Sequence, residues 1–226
     1  MKSSALWEVV DLTTAKIPTK EAWMQALAAR HGSELQQRFS NATVAICGLG
    51  GLGSNIAISL ARAGIGKLIL IDFDQVDITN LHRQQYKAKQ IGMPKTEALA
   101  ENLREIAPYL NLETHCVRIT EANTQTFLAE ADIVCEAFDD AEAKAMLTET
   151  VLTQMPEKYL VAASGMAGLS SANAIKTRRI TSRFYLCGDG ESDVNDGMGL
   201  VASRVMVCAS HQAHAVLRIL ANEFEV

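Results

Sequence analysis

The chain has 226 residues, of which 48% are hydrophobic and 21% are charged. This length and composition fit one large domain with a sizeable core and exclude wholesale disorder. The net charge of −5 argues against a nucleic-acid-binding protein built on a basic surface. The five cysteines are odd in number and none forms a Cys-x-x-Cys pair, so neither a disulfide framework nor a structural zinc site is expected.

Export and membrane signals are weak. Glu8 and Asp11 precede any apolar run long enough for a signal peptide. Residues 41–61 carry no charge and are long enough to span a bilayer, but the glycines in the middle favour a tight turn instead. We therefore expect a cytoplasmic protein without a membrane partner.

A helical lead-in is predicted over residues 1–40, ahead of one compact unit over residues 41–226. Within the lead-in, apolar residues follow a helical period that breaks near Gly32. These apolar residues are Trp23, Leu27, Leu35 and Phe39.

From residue 41 onward, strand and helix signals alternate. Short apolar runs predict buried strands at Thr43–Cys47, Lys67–Ile71, Leu112–Val117, Asp132–Phe138 and Tyr159–Ala163. Helices are predicted through about Arg62 and over Pro94–Ile106, Ala122–Ala129 and Ala141–Leu152. This alternation indicates an α/β fold with a doubly wound, mainly parallel, Rossmann-like sheet and helices on both faces.

The last third of the chain departs from this alternation. Asn173–Lys176 and Phe184–Cys187 are predicted as short strands that form an antiparallel extension. Gly188–Gly199 is rich in Gly and Asp and is predicted to be a mobile loop. Val201–Leu220 is predicted to be a final, largely apolar helix.

A glycine loop separates the first predicted strand from the first long helix. Its candidate binding residues are Gly48, Gly50, Gly51, Gly53 and Ser54. Glycines let the backbone approach phosphate oxygens, and the helix N-terminus supplies free N–H groups. Asp72 ends the second strand, where a carboxylate can accept bonds from ribose hydroxyls. NAD, FAD, SAM and ATP proteins all use such loops, and alone the loop favours a dehydrogenase.

The segment that follows Asp72 favours a triphosphate. It is rich in polar and charged groups, namely Asp74, Asp77, Asn80, Arg83, Gln84 and then Lys95. Arg and Lys match phosphate oxygens, whereas a hydride-transfer cofactor needs little of this cationic equipment. Lys95 lies in the first turn of its helix, where the macrodipole disfavours a cation. The alternatives are that Lys95 points into water and that Arg83 and Gln84 form an ordinary solvated face.

Together, the glycine loop and this string resemble the ThiF/MoeB/HesA family, relatives of the ubiquitin-activating enzymes. The resemblance runs from about Arg30 to Gly165. It implies an enzyme that uses MgATP to adenylate the C-terminal glycine of a small ubiquitin-like carrier protein. It also implies that Asp72 binds ribose, with Asp74 in the same string. Asn80, Arg83 and Lys95 would contact the triphosphate, with Gln84 beside them.

The resemblance extends to an Asp beyond a later strand with a basic residue five positions on. Asp139 and Lys144 match this marker, which implies that Asp139 binds Mg²⁺. One or two carboxylates with phosphates and water are a common Mg²⁺ ligand set. The alternative is that Asp139 is the N-cap of the following helix, with Glu142 as its capping-box partner.

Three family features match this chain less well. Many members carry paired Cys-x-x-Cys motifs for zinc, which this chain does not have. Members also deliver an upstream Arg from the other subunit of a dimer. Arg30 is the better match, with Arg38 as its rival, and a homodimer is expected. Some members use a cysteine to form a covalent bond to the carrier; here Cys187 is the candidate, although adenylation itself needs no cysteine.

Several functions remain open at this point. The sequence looks closest to ThiF, whose carrier is the sulfur-carrier protein ThiS, ending in Gly-Gly, in thiamine biosynthesis. A tRNA threonylcarbamoyladenosine dehydratase is the alternative within the superfamily, although the acidic balance argues against nucleic acid. An NAD(P)-binding oxidoreductase rests on the glycine loop and Asp72 alone. A catalytically idle scaffold subunit conflicts with the intact charged residues.

Overall fold

The structure, a computed structural model, describes residues 17–195 and 197–226. Residues 1–16 of the predicted lead-in and Asp196 of the predicted loop lie outside the described residues. The α-helices are α1 Lys20–His31, α2 Ser33–Asn41, α3 Gly51–Ala63, α4 Lys95–Ile106, α5 Glu121–Leu128, α6 Ala141–Gln154 and α7 Ala202–Leu220. The strands are β1 Thr43–Cys47, β2 Lys67–Ile71, β3 Asn111–His115, β4 Ile133–Glu136, β5 Tyr159–Ala163, β6 Lys176–Arg179 and β7 Phe184–Gly188.

The strands form one seven-stranded sheet in the order β3-β2-β1-β4-β5-β7-β6. Every neighbouring pair is parallel except β6 with β7, which is antiparallel. The chain first adds β2 and β3 on one side of β1 and then crosses to add β4 on the opposite side of β1. This confirms the predicted doubly wound, Rossmann-like α/β class with its short antiparallel extension.

Alternation along the strands divides the core into two layers. Val44 and Ile46 of β1 belong to a layer with apolar residues of α3, α4 and α7. Ala45 and Cys47 face the other way, into a layer with apolar residues of α5 and α6. Because helices cover both faces, the central strands are apolar over most of their length, as a buried parallel sheet requires. No helix in the described part of the chain is long and apolar enough to cross a membrane.

Two local predictions have different outcomes. The predicted break at Gly32 is confirmed, because Gly32 separates α1 from α2 with a φ of +84°. The predicted strand at Asn173–Lys176 is wrong, since Ala172–Ala174 form a 3-10 turn and the strand is β6. β6 is a polar edge strand whose Lys176, Arg178 and Arg179 are exposed, so it has no apolar run to mark it.

Candidate functional site

The glycine loop lies where the chain reverses its direction of travel across the sheet. β1 pairs with β2 on one side and with β4 on the other, and all three point the same way. Loops that leave the carboxyl ends of β1 and β4 therefore meet at a switch point, where open α/β sheets bind ligands. The contact is close, because a Cβ atom added at Gly48 would lie 2.7 Å from the Ala137 carbonyl oxygen. Gly48 also has a φ of +91°, which favours glycine.

The loop leads directly into the N-terminus of α3. Gly50 occupies the cap position without a side-chain hydrogen bond, so the first amides of α3 lack a side-chain cap. A Cβ at Gly53 would lie 1.8 Å from the Gly48 carbonyl oxygen, and only glycine fits there. The result is a compact turn with free N–H groups at the positive end of a helix dipole, an arrangement suited to phosphate.

Asp72, the first residue after β2, shapes this loop. One oxygen, Oδ2, accepts a 2.6 Å hydrogen bond from the Leu49 amide, and Oδ1 accepts one of 2.8 Å from the Asp74 amide. Burial raises the pKa of Asp72, while Lys95 and these two amides oppose the rise. A carboxylate has about four acceptor positions, so two remain for a ligand hydroxyl.

Lys95, the first residue of α4, points inward. Its ammonium Nζ lies 2.8 Å from Asp74 Oδ2 and 3.9 Å from Asp72 Oδ2. The residue is 6% exposed, so the alternative that it points into water is wrong. An ammonium has three donors, and the direct contact with Asp74 leaves others for an anion. The Asp74 side chain is 47% exposed, which makes it a replaceable partner.

Arg83 and Gln84 approach the loop from the segment between β2 and α4. The Cγ atom of Arg83 would lie 3.5 Å from a Cβ at Gly51, and Nε2 of Gln84 would lie 3.7 Å from one at Gly50. Asn80 lies just upstream and accepts a hydrogen bond from the Asp77 amide, 3.4 Å, at the start of a 3-10 turn. The solvated-face alternative does not fit Gln84, which is 6% exposed.

Two buried polar atoms of this segment, Arg83 Nε and Gln84 Oε1, have no hydrogen-bond partner among the described residues. The same holds for Thr96 Oγ1 in α4 and for Arg204 Nε and Gln212 Oε1 in α7. A buried polar atom without a partner is costly, so folded proteins rarely leave one without a reason such as a bound ligand. The two atoms on Arg83 and Gln84, which border the glycine loop, therefore support a polar ligand there.

Asp139 lies beyond β4, beside the same loop. The N-cap of α6 is Asp140, whose Oδ1 accepts a 2.8 Å hydrogen bond from the Ala143 amide. The capping alternative for Asp139 is therefore wrong, and its exposed carboxylate makes no hydrogen bond or ion pair within residues 17–195 and 197–226. Lys144 fixes the loop by donating to the Phe138 carbonyl and to Glu136, both at 3.0 Å.

The residues present fit a Mg²⁺ ion that is shared with phosphates. No cluster of three or more metal-ligating side chains occurs in the part of the chain that the structure describes. Mg²⁺ does not need one, since it commonly takes one or two carboxylates and completes its shell with phosphate and water. Asp139 offers one such carboxylate with free oxygens.

Comparisons with known proteins identify the family of the chain. Residues 24–226 match the family described as the ThiF family. The chain belongs to the ThiF family. It is 31% identical to the adenylyltransferase and sulfurtransferase MOCS3 of Culex quinquefasciatus over 143 residues, which are 63% of this chain and 32% of that protein. It is 30% identical to a sulfur carrier protein adenylyltransferase of Thermus thermophilus over 129 residues, 57% of this chain and 48% of that protein.

Solved structures share the fold of this ThiF-family chain. The Escherichia coli tRNA N6-threonylcarbamoyladenosine dehydratase TcdA, crystallised with ATP, superposes with a TM-score of 0.81 at 24% identity. That superposition covers 92% of this chain and 98% of that one. E. coli MccB with ATP gives a TM-score of 0.63 at 24% identity, over 84% of this chain and 59% of that one. The chain spans less than half the length of the curated relatives reported above.

The two upstream arginines of this ThiF-family chain have different surroundings. Arg38 is engaged, because it donates to Glu34 at 2.8 Å and to the Ala221 carbonyl at 3.3 Å. Arg30 is exposed near the end of α1 and has no hydrogen bond or ion pair within the described ranges. Arg30 is thus the arginine that is free to reach another molecule.

Cys187 and Ser54 are both buried, which the sequence did not indicate. Cys187 is fully buried in β7, beside Thr177 at 3.6 Å, and burial raises its pKa to about 11. A buried thiol of this kind is a poor nucleophile at neutral pH. The Ser54 hydroxyl is also buried; it donates to the Gly50 carbonyl at 2.6 Å and accepts from the Gln85 amide at 3.2 Å. Ser54 thus uses its hydroxyl to link Gly50 of the glycine loop to Gln85.

Sequence reasoning missed several residues that hold the site together. The Tyr86 hydroxyl donates to the Leu49 carbonyl at 2.7 Å. The side-chain Nε2 of Gln85 donates to Oδ1 of Asn55, also at 2.7 Å. Glu136 is buried at the end of β4, and burial raises its pKa while Lys144 opposes the rise. Gln85 directly follows the Arg83-Gln84 pair, which was a usable signal. The others act through tertiary contacts that no local pattern displays.

Proposed function

We propose that this chain catalyses ATP-dependent adenylation of the C-terminal glycine carboxylate of a small ubiquitin-like sulfur-carrier protein. The observation that carries the proposal is that Arg83 and Gln84 border the glycine loop with unpaired buried polar atoms. Lys95 lies 3.9 Å from Asp72, whose carboxylate binds the Leu49 amide of that loop. Such equipment suits a triphosphate better than the single pyrophosphate of NAD(P). Membership of the ThiF family supports this choice over an oxidoreductase.

In the proposed reaction, a carboxylate oxygen of the carrier attacks the α-phosphorus of ATP. A new oxygen–phosphorus bond forms, the bond from the α-phosphorus to the bridging oxygen breaks, and pyrophosphate leaves with that electron pair. The product is an acyl-adenylate. No general base is needed, because a carboxylate is already ionised at neutral pH. Both reactants are anions, so the protein's work is positioning and neutralisation of charge.

Each residue of the site has a task in this scheme. Asp72 would accept the ribose hydroxyls with its two remaining acceptor positions, and Asp74 is the partner that Lys95 exchanges for phosphate. The free amides at the start of α3 would bind phosphate oxygens. Arg83 and Lys95, with Asn80 and Gln84 beside them, would neutralise charge that develops on the leaving pyrophosphate.

Asp139 would hold Mg²⁺ through its free carboxylate oxygens. The ion, when bound, offsets phosphate charge as a Lewis acid. Lys144 contributes indirectly, because its bonds to Glu136 and the Phe138 carbonyl fix the backbone that carries Asp139. Ligand and cap duties are thus divided between two adjacent aspartates.

Partners follow from the same proposal. Arg30 would reach the triphosphate bound to a second copy of the chain in a homodimer, since it is exposed and unpaired within the described ranges. The carrier would end in Gly-Gly. Similarity to a sulfur carrier protein adenylyltransferase supports a sulfur carrier, and a ThiS-type carrier of thiamine biosynthesis is the first one to test.

One observation favours a second candidate, adenylation of a modified tRNA base. The edge strand β6 exposes Lys176 and Arg178, and such side chains are typical phosphate-backbone contacts. The net charge of −5 favours the carrier protein instead. AMP release that depends on the carrier protein, as opposed to tRNA, separates the two.

Pyrophosphate–ATP exchange with candidate carriers tests the proposal. We expect exchange that requires the carrier, and a loss of about 10²–10³ in rate for Arg83→Ala, which is roughly 2–4 kcal/mol. Arg62→Ala, an exposed arginine near the end of α3, is the matched control and should exchange normally. An Arg83→Ala rate equal to the unsubstituted rate would contradict the assignment.

A further inference from the structure

Asn55, a buried residue in the first turns of α3, binds two separate parts of the site. Its Nδ2 donates to the Gly51 carbonyl at 2.6 Å and to the Arg83 carbonyl at 3.3 Å. Its Oδ1 accepts a 2.7 Å hydrogen bond from Gln85 Nε2. The amide thus joins the helix that follows the glycine loop to the segment that carries Arg83. The residue is 7% exposed, so water competes little for these bonds.

Apart from its backbone amide, which donates to the Asn80 carbonyl at 3.2 Å, Arg83 has few other restraints. Its Nη1 donates to the Thr79 carbonyl at 3.3 Å and lies 3.4 Å from His82 Nε2, while its Nε has no partner among the described residues. The bonds through Asn55 act on the backbone instead. Together with the bond from the Gln85 amide to Ser54, they hold residues 83–85 against the first turn of α3.

We infer that Asn55, with Gln85, is a positioning residue that places the Arg83 side chain beside the glycine loop, where its Cγ would lie 3.5 Å from a Cβ at Gly51. This inference rests on the proposed ATP-binding function of the site and adds a residue set to it. Asn55 makes no contact with the triphosphate in this scheme. It acts through the backbone of Arg83, so its effect should appear only for ligands that Arg83 binds.

The geometry separates this role from ordinary helix support. The bond from Asn55 to the Gly51 carbonyl lies within α3, and the hydroxyl of Ser59 makes an equivalent local bond to the Asn55 carbonyl at 2.9 Å. Asn55, unlike Ser59, adds bonds to residues 83 and 85. Ser59→Ala is therefore a matched control, since it removes a bond within the helix and leaves the Arg83 segment untouched.

Calorimetric titration of the full chain with MgATP and with adenosine tests the inference. We expect Asn55→Ala to weaken MgATP binding by about 10-fold or more, since small displacements of a positioned group are costly. Adenosine binding should stay within about 2-fold, as should both ligands for Ser59→Ala. Added to Arg83→Ala, the Asn55→Ala substitution should not weaken MgATP binding further, because Asn55 acts through the Arg83 side chain and that side chain is already absent.

Three results would overturn the inference. They are unchanged MgATP binding by Asn55→Ala, equal weakening for adenosine, and full additivity with Arg83→Ala. If Asn55→Ala does not fold, Gln85→Ala removes one arm of the same link and should weaken MgATP by about 3-fold. An unsubstituted chain that does not bind MgATP would overturn the proposed function together with this inference. Normal MgATP binding with an inert Asn55→Ala would overturn the inference alone.

Discussion

Two aspartates in this molecule occupy equivalent places and have opposite properties. Asp72 follows β2 and Asp189 follows β7, and each lies near a cation in the first turn of a helix, Lys95 of α4 or Arg204 of α7. Asp189 accepts bonds from two amides, the Ser192 hydroxyl and Arg204. Asp72 accepts only two amide bonds, and Lys95 stands 3.9 Å away from it.

The difference in hydrogen bonding decides what each pair can do. Burial alone would raise the pKa of Asp189, but its hydrogen bonds and Arg204 lower it to about 2. The pKa of Asp72 is raised, because burial outweighs the help from Lys95 and the amides. An aspartate that is saturated with hydrogen bonds ties its loop to the fold, whereas an unsaturated aspartate keeps acceptor positions available for a ligand.

The largest effect should come from breaking the ion pair of Asp189 with Arg204. Asp189→Ala leaves the Arg204 charge buried without its partner, and we expect a loss of about 3–5 kcal/mol in unfolding free energy. The folded pKa of about 2 lies below the usual value of about 3.9, so the ionised group stabilises the fold above about pH 4. Denaturant unfolding should show the gap between the two proteins narrowing as pH falls from about 4 to about 2. A gap that widens would contradict the assignment.

Substitution in the pair of Lys95 with Asp72 should reduce activity more than stability. Lys95→Ala should slow carrier-dependent pyrophosphate exchange by about 10²–10³, because a phosphate contact is lost. Its stability cost should be smaller than that of Asp189→Ala, since half-exposed Asp74 can be rehydrated. Thermal unfolding of both variants checks the order. Equal stability losses with full activity for Lys95→Ala would erase the contrast between the two pairs.

Much of the fold could be predicted from the sequence, because buried parallel strands form short runs of mostly apolar residues. The strands at Thr43–Cys47, Lys67–Ile71 and Tyr159–Ala163 have the predicted bounds. The polar edge strand β6 was misplaced for the converse reason. The site residues could be named from their motif. The number of hydrogen bonds that each aspartate accepts could not be predicted, because Asp72 and Asp189 both simply follow a strand. Hydrogen bonds to an aspartate depend on how the following loop folds back.

The adjacent aspartates of the β4–α6 loop give a smaller, paired contrast. Asp140→Ala should cost about 1 kcal/mol of stability, because it removes the cap of α6, and should leave exchange activity intact. Asp139→Ala should do the reverse and raise the Mg²⁺ concentration that exchange requires. Denaturant titration together with a Mg²⁺ titration measures both. Swapped phenotypes would mean that the cap and the ligand have been confused.

The smallest effect is expected at Cys187. Cys187→Ser should leave the exchange rate within about 2-fold of normal, because the thiol is buried and its pKa is raised to about 11. Cys116 is the exposed cysteine, and the other four are buried. Alkylation of the folded protein followed by mass spectrometry should therefore modify Cys116 first. Rapid labelling of Cys187 in the folded chain would reopen its candidacy as a nucleophile.

Direct titration with nucleotides bears most closely on the central claim, that the glycine loop and its cations form a triphosphate site. The unsubstituted chain should bind MgATP more tightly than NADH, and the double substitution Arg83→Ala, Lys95→Ala should abolish that preference. Tighter binding of NADH, or a MgATP affinity that survives the loss of both cations, would contradict it.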